Sequence, residues 1–320
     1  MRCAALAQAV AALNFKPVFC SVNPPDGMSR RLTRDGFDLE LLNASAGSTE
    51  DASELCAVAA KASARAVVID GYGFGADYLA EIAERNVEIA VIDDNATGRV
   101  SHARLVVNQN IFASAGMPAR GLLFGLRYAL LKKQFADAAE GEYAHSFSGR
   151  VLLTFGGSDP DGLTVRAIEA CNRAAPHVRD IDVVVGFANR DRKAIEAAAS
   201  RSRIPVTVHF DVEDMVPLMQ RADLAIIAAG TTMWETLCLG LPMIVVYRDA
   251  LQRKSVDALK SQDLVLASEA AETIDVAALA KIVGETIADQ TRLRDIARRG
   301  RELVDGRGAT RVAEAIAAFA

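Results

Sequence analysis

Along this chain of 320 residues, short apolar runs alternate with segments whose apolar positions recur every three or four residues. The runs read as strands buried on both faces, the periodic segments as amphipathic helices. Their alternation predicts parallel sheets with crossover helices. In the first half, strands are expected at 16–22, 37–42, 66–70, 87–93 and 105–108, with helices at 50–62 and 76–85. The second half repeats the scheme. Strands are expected at 150–155, 181–185, 206–210, 224–228 and 243–246, and helices at 163–174, 192–200, 212–221 and 233–239. Beyond about residue 270 the pattern is helical to the end, with breaks expected near Gly284 and Gly306.

The polar stretch 136–149 has no apolar period and reads as a linker. It divides the chain into an N-terminal Rossmann-like domain over 1–143 and a C-terminal one over 150–305. A last helix over 306–320 is expected to pack back on the first domain. Ligands of such domains sit at the carboxyl ends of the parallel strands. The opening is irregular. A doubly wound domain starts with a central strand, a glycine-bearing turn and then a helix whose amino end faces the ligand. Here the first element is a helix at 3–13 with no strand before it. The expectation is a chain that starts inside its first βα unit.

Composition narrows the class. Hydrophobic residues are 51% and charged residues 24%, enough for full cores and unlike a disordered chain. A net charge of −5 argues against nucleic acid or an anionic membrane surface as partner. One small phosphorylated ligand stays open, because a few backbone amides can hold it. The five cysteines (Cys3, Cys20, Cys56, Cys171, Cys238) show no pairing or Cys-x-x-Cys spacing and read as reduced thiols. No apolar run reaches the roughly 18 residues that span a bilayer, and the start lacks a signal-peptide pattern. Membrane insertion is not expected, and the expected compartment is the cytoplasm.

Two turns of the second half could carry chemistry. Phe155-Gly156-Gly157-Ser158-Asp159 lies between a strand and a helix, where glycines let amides approach phosphate oxygens. It also reads as a plain βα turn with Asp159 as helix cap. Gly230-Thr231-Thr232 follows a fully apolar strand, and Glu235 comes one helical turn later. Thr231 and Thr232 could hold a diphosphate and Glu235 a ribose; equally, Thr232 and Glu235 fit a capping box. In the first half, Asp70-Gly71-Tyr72-Gly73 and Asp93-Asp94-Asn95 each end a strand. They fit acid/base chemistry or simple turn chemistry. The four histidines sit in unrelated contexts, so a metal site is not expected.

On these residues the chain resembles a known family, the UDP-2,4-diacetamido-2,4,6-trideoxy-β-L-altropyranose hydrolases of pseudaminic acid biosynthesis. That family is itself similar to the GT-B glycosyltransferase that adds N-acetylglucosamine in peptidoglycan synthesis. The resemblance rests on 68–73, Ile92-Asp93-Asp94, Val107-Asn108-Gln109-Asn110 and 125–131. In the second half it rests on 154–159, 215–219, 229–235 and Gly240-Leu241-Pro242. It implies a GT-B-like α/β fold, two Rossmann-type domains facing each other across a cleft, with the first strand of domain 1 missing. The implied ligand is a UDP-activated diacetamido sugar, with Gly156, Gly157, Ser158, Gly230, Thr231 and Thr232 on the diphosphate. Glu235 would take the ribose, and the backbone near Phe210 and Met215 the uracil. Tyr72 and Asp93 are the implied catalytic residues, with Asp70 and Gln252 facing the sugar.

The implied reaction is hydrolysis at the anomeric carbon without metal or other cofactor. Two departures bear on it. The family's general-base histidine would fall two residues ahead of Met1, and Leu251-Gln252 stands where the family has Asn-Gln. The expectation is therefore a UDP-sugar hydrolase with impaired turnover. A GT-B glycosyltransferase and an inactive UDP-sugar binder remain the alternatives. Oligomeric state is not legible.

Overall fold

The computed structural model describes residues 2–71, 73–94, 102–112, 121–141 and 147–320. The chain forms two compact units, Met1–Lys133 with Arg307–Ala320, and Gln134–Gly306. The first runs α1 (Arg2–Ala12), β1 (Val18–Val22), α2 (Asp26–Arg34), β2 (Asp38–Leu42), α3 (Thr49–Lys61), β3 (Ala66–Asp70) and α4 (Ala76–Ala83). It continues through β4 (Glu88–Ile92), β5 (Leu105–Asn108), β6 (Gly121–Phe124) and a 3-10 turn at Leu126–Tyr128.

The second unit follows as α5 (Lys133–Ala139), β7 (Arg150–Thr154), α6 (Leu163–Arg173), β8 (Asp180–Val185), α7 (Arg192–Ser200), β9 (Val206–Phe210) and α8 (Val216–Arg221). Then come β10 (Leu224–Ala228), α9 (Thr232–Leu239), β11 (Met243–Tyr247), α10 (Ala250–Lys260), β12 (Ala267–Ala270), α11 (Val276–Ala288) and α12 (Gln290–Leu303). A last helix, α13 (Gly308–Ala317), belongs to the first unit.

Six strands make one parallel sheet in the second unit, in the order β12-β11-β10-β7-β8-β9. The chain starts at central β7, moves outward through β8 and β9, then crosses to the other side of β7 at β10. That reversal is a topological switch point, where ligands of open α/β sheets bind. Leu152, Ile181, Leu224, Ile226 and Ile244 are fully buried, as strands covered by helices on both faces require. α6 and α11 cover one face with Leu163, Ile168, Leu279 and Val283.

The first unit's sheet is split. β1 pairs only with β2, and a separate sheet runs β3-β4-β5-β6, every pair parallel. Two hydrophobic clusters flank these strands. One joins Cys20, Val22 and Leu42 of β1 and β2 to Val67 and Ile69 of β3 through Leu55 of α3 and Leu79 of α4. The other packs Leu6 of α1 and Val312 of α13 on Ala90, Ile92, Leu105 and Val107. Gly308 lets α13 approach, since a Cβ there would lie 2.3 Å from the Ala129 carbonyl oxygen.

The expected strands form within one or two residues of their predicted ends. β6, β12, α2 and α10 were not expected. β12 is Ala-Ser-Glu-Ala and carries no apolar run; it is a strand because β11 offers it a ladder. The break expected at Gly284 does not occur. α11 runs through it and Gly284 packs near the His177 ring, while the chain turns at Asp289, which caps α12. The linker expected at 136–149 begins as helix α5, and part of it, 142–146, lies outside the described residues. The helix expected from 212 starts at Val216, whose amide donates to the Asp214 carboxylate at 2.9 Å.

Candidate functional site

In the second unit the site is built on neighbouring strands. β7 and β10 pair with Thr154 opposite Ile227, so the turns that follow them emerge side by side at the carboxyl edge. Gly156, Gly157 and Ser158 are exposed, and Gly156 adopts a left-handed φ of 76° that favours glycine. Gly230 is exposed as well, and a Cβ on Gly156, Gly157 or Gly230 would meet nothing within 4 Å. Among the described residues no hydrogen bond engages the amides of Gly156, Gly157, Ser158, Gly230, Thr231 or Thr232. The last three form the open amino end of α9, where the helix dipole adds favourable charge for an anion.

Gly186 has a role that the sequence reading missed. A Cβ there would lie 2.5 Å from the Gly156 carbonyl oxygen and 2.5 Å from the Gly157 Cα. The end of β8 thus braces the 156–158 turn from behind, and the Ala188 amide donates to the Gly157 carbonyl at 3.0 Å. The only sequence signal was a glycine ending a strand. Asp159 is the cap of α6: its buried carboxylate accepts from the amides of Leu163 and Thr164, each at 2.9 Å, and from the Thr164 hydroxyl at 2.6 Å. The amino end of α6 is therefore closed by the chain itself, and the open amides of this turn are those of 156–158.

The capping box read for Thr232 and Glu235 is not formed. Thr231 is the N-cap, without a side-chain cap bond, which leaves Glu235 one residue past the position a capping box uses. Glu235 lies half-buried one turn into α9. Phe210 ends the edge strand β9, and its ring is covered by the Arg192 guanidinium at 3.9 Å. Met215, half-buried, is the N-cap of α8. Gln252 lies in the first turn of α10: its side-chain oxygen accepts from the Arg248 backbone amide at 2.8 Å, and its own backbone amide donates to the carboxylate of Asp249, the N-cap, at 2.8 Å.

The first unit's carboxyl edge carries side-chain chemistry. Arg2, at the start of α1, donates from Nε and Nη2 to both oxygens of Asp70 at 2.6–3.2 Å, and from Nη1 to Asp94. All three side chains are less than a fifth exposed. Burial pushes both carboxyls up. For Asp70 the bidentate Arg2 contact outweighs burial and holds the carboxyl below its usual range. For Asp94 burial wins, and the group lies above it. Cys3 donates its thiol hydrogen to Asp70 at 2.8 Å, and burial beside that carboxylate keeps the thiol protonated.

Asp93 is buried next to this pair, its amide bonded to the Val107 carbonyl at 3.0 Å. The 108–110 run contributes Asn110, which holds the Asp94 carbonyl at 3.1 Å, and Gln109, which accepts from the Leu130 amide at 3.1 Å. Asp94 Oδ1 and Asn108 Nδ2 are buried with no partner among the described residues. Tyr72 and Asn95 lie outside the described residues. Arg2 was not anticipated as a site residue, since nothing local marks the arginine as a partner of carboxylates far along the chain. Among the described residues no group of three His, Cys, Asp or Glu is arranged to hold a metal, and no helix is long and apolar enough to cross a membrane.

The family described as UDP-N-acetylglucosamine 2-epimerase matches residues 158–317, half of the chain. The chain belongs to this family. The matched span starts inside the Gly156–Ser158 turn and takes in the turn before α9, so both open turns fall in or at the edge of the matched span. Among curated relatives, the spore coat polysaccharide biosynthesis protein SpsG of Bacillus subtilis is 27% identical over 194 residues, 59% of this chain and 56% of that protein. The chain spans about half the length of the curated relatives it matches.

Among solved structures, MurG of Acinetobacter baumannii superposes with a TM-score of 0.70 at 16% identity, covering 99% of this chain and 95% of MurG. The spinosyn rhamnosyltransferase SpnG complexed with thymidine diphosphate gives 0.65 at 14% identity over 98% and 95% of the two chains. As a member of the epimerase family, the chain has a two-unit α/β GT-B fold with parallel sheets.

Proposed function

We propose that the second unit binds the UDP part of a UDP-activated diacetamido sugar, and that the reaction is hydrolysis at the anomeric carbon. One observation carries the reading: two glycine-bearing turns, adjacent at a switch point, present six backbone amides with no partner among the described residues. Exposed amides in that density at one sheet edge suit a diphosphate, and the α9 amino end adds dipole charge of the right sign. The matched family is described as UDP-N-acetylglucosamine 2-epimerase, and SpnG, similar in fold, was solved with thymidine diphosphate. Glu235, one turn beyond the open amides, is in reach of the pentose hydroxyls of a nucleotide seated there.

In the reaction a water oxygen bonds to the anomeric carbon, the bond from that carbon to the diphosphate oxygen breaks, UDP leaves with the electron pair, and the water's second proton is released to solvent. The amides of 156–158 and 230–232 stabilise the charge that builds on the leaving diphosphate, an effect often worth several kcal/mol. Asp70 is held ionised by Arg2 and is a poor proton acceptor.

Calorimetry with UDP tests the binding. Saturable one-to-one binding, lost when Gly157 and Gly230 are both replaced by proline, is the expected result; no heat from UDP at millimolar concentration removes the proposal. Incubation with a UDP-diacetamido sugar then separates the reactions. Free sugar plus UDP supports hydrolysis. An inverted sugar still attached to UDP would make the chain an epimerase, and a requirement for an added acceptor would make it a glycosyltransferase.

A further inference from the structure

The two glycine turns that present their amides to solvent contain no lysine or arginine. Residues 155–162 read Phe-Gly-Gly-Ser-Asp-Pro-Asp-Gly and residues 229–232 read Ala-Gly-Thr-Thr. A diphosphate carries more than one negative charge, and backbone amides with one helix dipole offset only part of it. A cation reaches this edge from the neighbouring strand. Arg248 directly follows β11, and its Nε donates to Asp161 Oδ2 at 2.6 Å.

The sheet explains where this pair lies. β11 flanks β10 on one side and β7 flanks it on the other. Arg248 leaves the end of β11, whereas Asp161 belongs to the turn between β7 and α6. The ion pair therefore joins the loops of the two strands beside β10 and passes the carboxyl end of β10, where the Gly230 turn begins. Each loop is fixed from its own side. The Arg248 amide donates to Gln252 Oε1 and the Ala229 amide to the Val246 carbonyl, both at 2.8 Å. Across the edge, Gly162 takes a left-handed φ of 61° and its amide donates to the Asp159 carbonyl at 3.2 Å. Asp159 turns inward as the cap of α6, so Asp161 is the carboxylate of this turn that faces outward, and Arg248 holds it. The two side chains are 33% and 37% exposed.

An ion pair as exposed as this is weak and exchanges readily. A diphosphate on the amides of 156–158 and 230–232 brings phosphate oxygens to the same edge, and a guanidinium binds phosphate through two parallel hydrogen bonds. It also brings negative charge towards Asp161, which repels it. We propose that the Arg248–Asp161 pair is a latch that the ligand opens: Arg248 leaves Asp161 and binds the diphosphate. The inference rests on the reading of the second unit as a nucleoside diphosphate site. No covalent bond changes; the guanidinium exchanges one anionic partner for another. Asp161 competes with the ligand for Arg248, so the closed pair lowers the apparent affinity by the fraction of molecules that hold it. A ligand with less phosphate charge opens the latch less well. Arg248 thereby selects a diphosphate over a monophosphate.

The test is calorimetry of UDP and UMP with the full chain, Arg248→Gln, Arg248→Lys, Asp161→Asn and the double variant Arg248→Gln with Asp161→Asn. Arg248→Gln is expected to weaken UDP about tenfold or more and to shrink the preference for UDP over UMP. Arg248→Lys restores part of the loss, since it keeps the charge without the fork. Asp161→Asn tightens UDP about two- to fivefold, and the double variant shows none of this gain. Melting temperatures stay within about 2 °C of the parent, because an exposed pair adds little stability. The opposite signs are decisive: a pair that merely ties two loops together would make both single substitutions weaken UDP. Weaker UDP binding in Asp161→Asn, or UDP affinity within about twofold of the parent in Arg248→Gln, overturns the latch while the parent's own binding upholds the site. A parent that takes up no UDP at millimolar concentration overturns both.

Discussion

Both units build parallel strands with helices between them, but their sheets and the chemistry at their carboxyl edges differ. In the second, an unbroken sheet ends in glycine turns whose backbone amides point to solvent and whose own helix cap, Asp159, is tied inward. In the first, the sheet is divided and its edge is lined by Asp70, Asp93, Asp94 and Asn108, with Asp70 and Asp94 bonded to Arg2. A backbone anion site requires rigid geometry and little side-chain chemistry. The family match falls mostly on the second unit.

The strongest attack on the contrast is Gly186→Val. The new side chain would occupy the space of the Gly156 and Gly157 backbone. The 156–158 turn must shift, with an expected loss of UDP affinity of at least about 100-fold and of stability by about 3 kcal/mol, read by calorimetry and denaturant melts. UDP affinity within a few-fold of the parent would show that the brace is unimportant.

Arg2→Gln probes the other edge. It leaves two largely buried carboxylates without their cation, and the expected destabilisation at neutral pH is about 2–3 kcal/mol. The parent has a definite pH signature. Asp70 sits below its unfolded pKa, so its stabilisation is present above the unfolded value and is lost as pH falls through the lower folded one. Asp94 sits above its unfolded value and works the other way, favouring the fold as it protonates. In Arg2→Gln the Asp70 carboxyl should titrate higher, and acid should cost the variant less stability than the parent. NMR titration of Asp70 checks this, and an unmoved pKa would refute the role given to Arg2.

Glu235→Ala sharpens the second unit's side. Loss of a charged partner to the ribose should weaken UDP by about 1–3 kcal/mol, roughly 5- to 150-fold in Kd, with the melting temperature hardly changed. Unaltered affinity would mean that Glu235 does not touch the nucleotide. The smallest effect belongs to Asp275→Ala, which removes the N-cap of α11 far from either edge. About 1 kcal/mol of stability is expected to go, with UDP binding untouched.

Much of the fold was legible because burial on two faces writes itself into sequence as apolar runs. β7, β9 and β10 lie almost where those runs placed them. β12 was hidden because Ala267-Ser268-Glu269-Ala270 has no such run and is a strand only by pairing with β11. Gly284 misled as a helix breaker, since α11 runs through it from Val276 to Ala288. Of the site, the glycine turns were visible and the brace at Gly186 was not, because its close approach to Gly156 and Gly157 depends on how two neighbouring strands end side by side.

The sequence by itself determined two α/β halves, the strand positions and which turns carry glycine, because these follow from local propensity and solvent exclusion. Only the tertiary structure decided that the turns after β7 and β10 are neighbours, that Gly186 stands behind one of them and that Arg2 draws Asp70 and Asp94 together. It alone showed that the first sheet is divided between β1 and β3. Strand order and long-range ion pairs depend on which distant segments win the competition to pack together, and no local pattern of residues records the outcome of that competition.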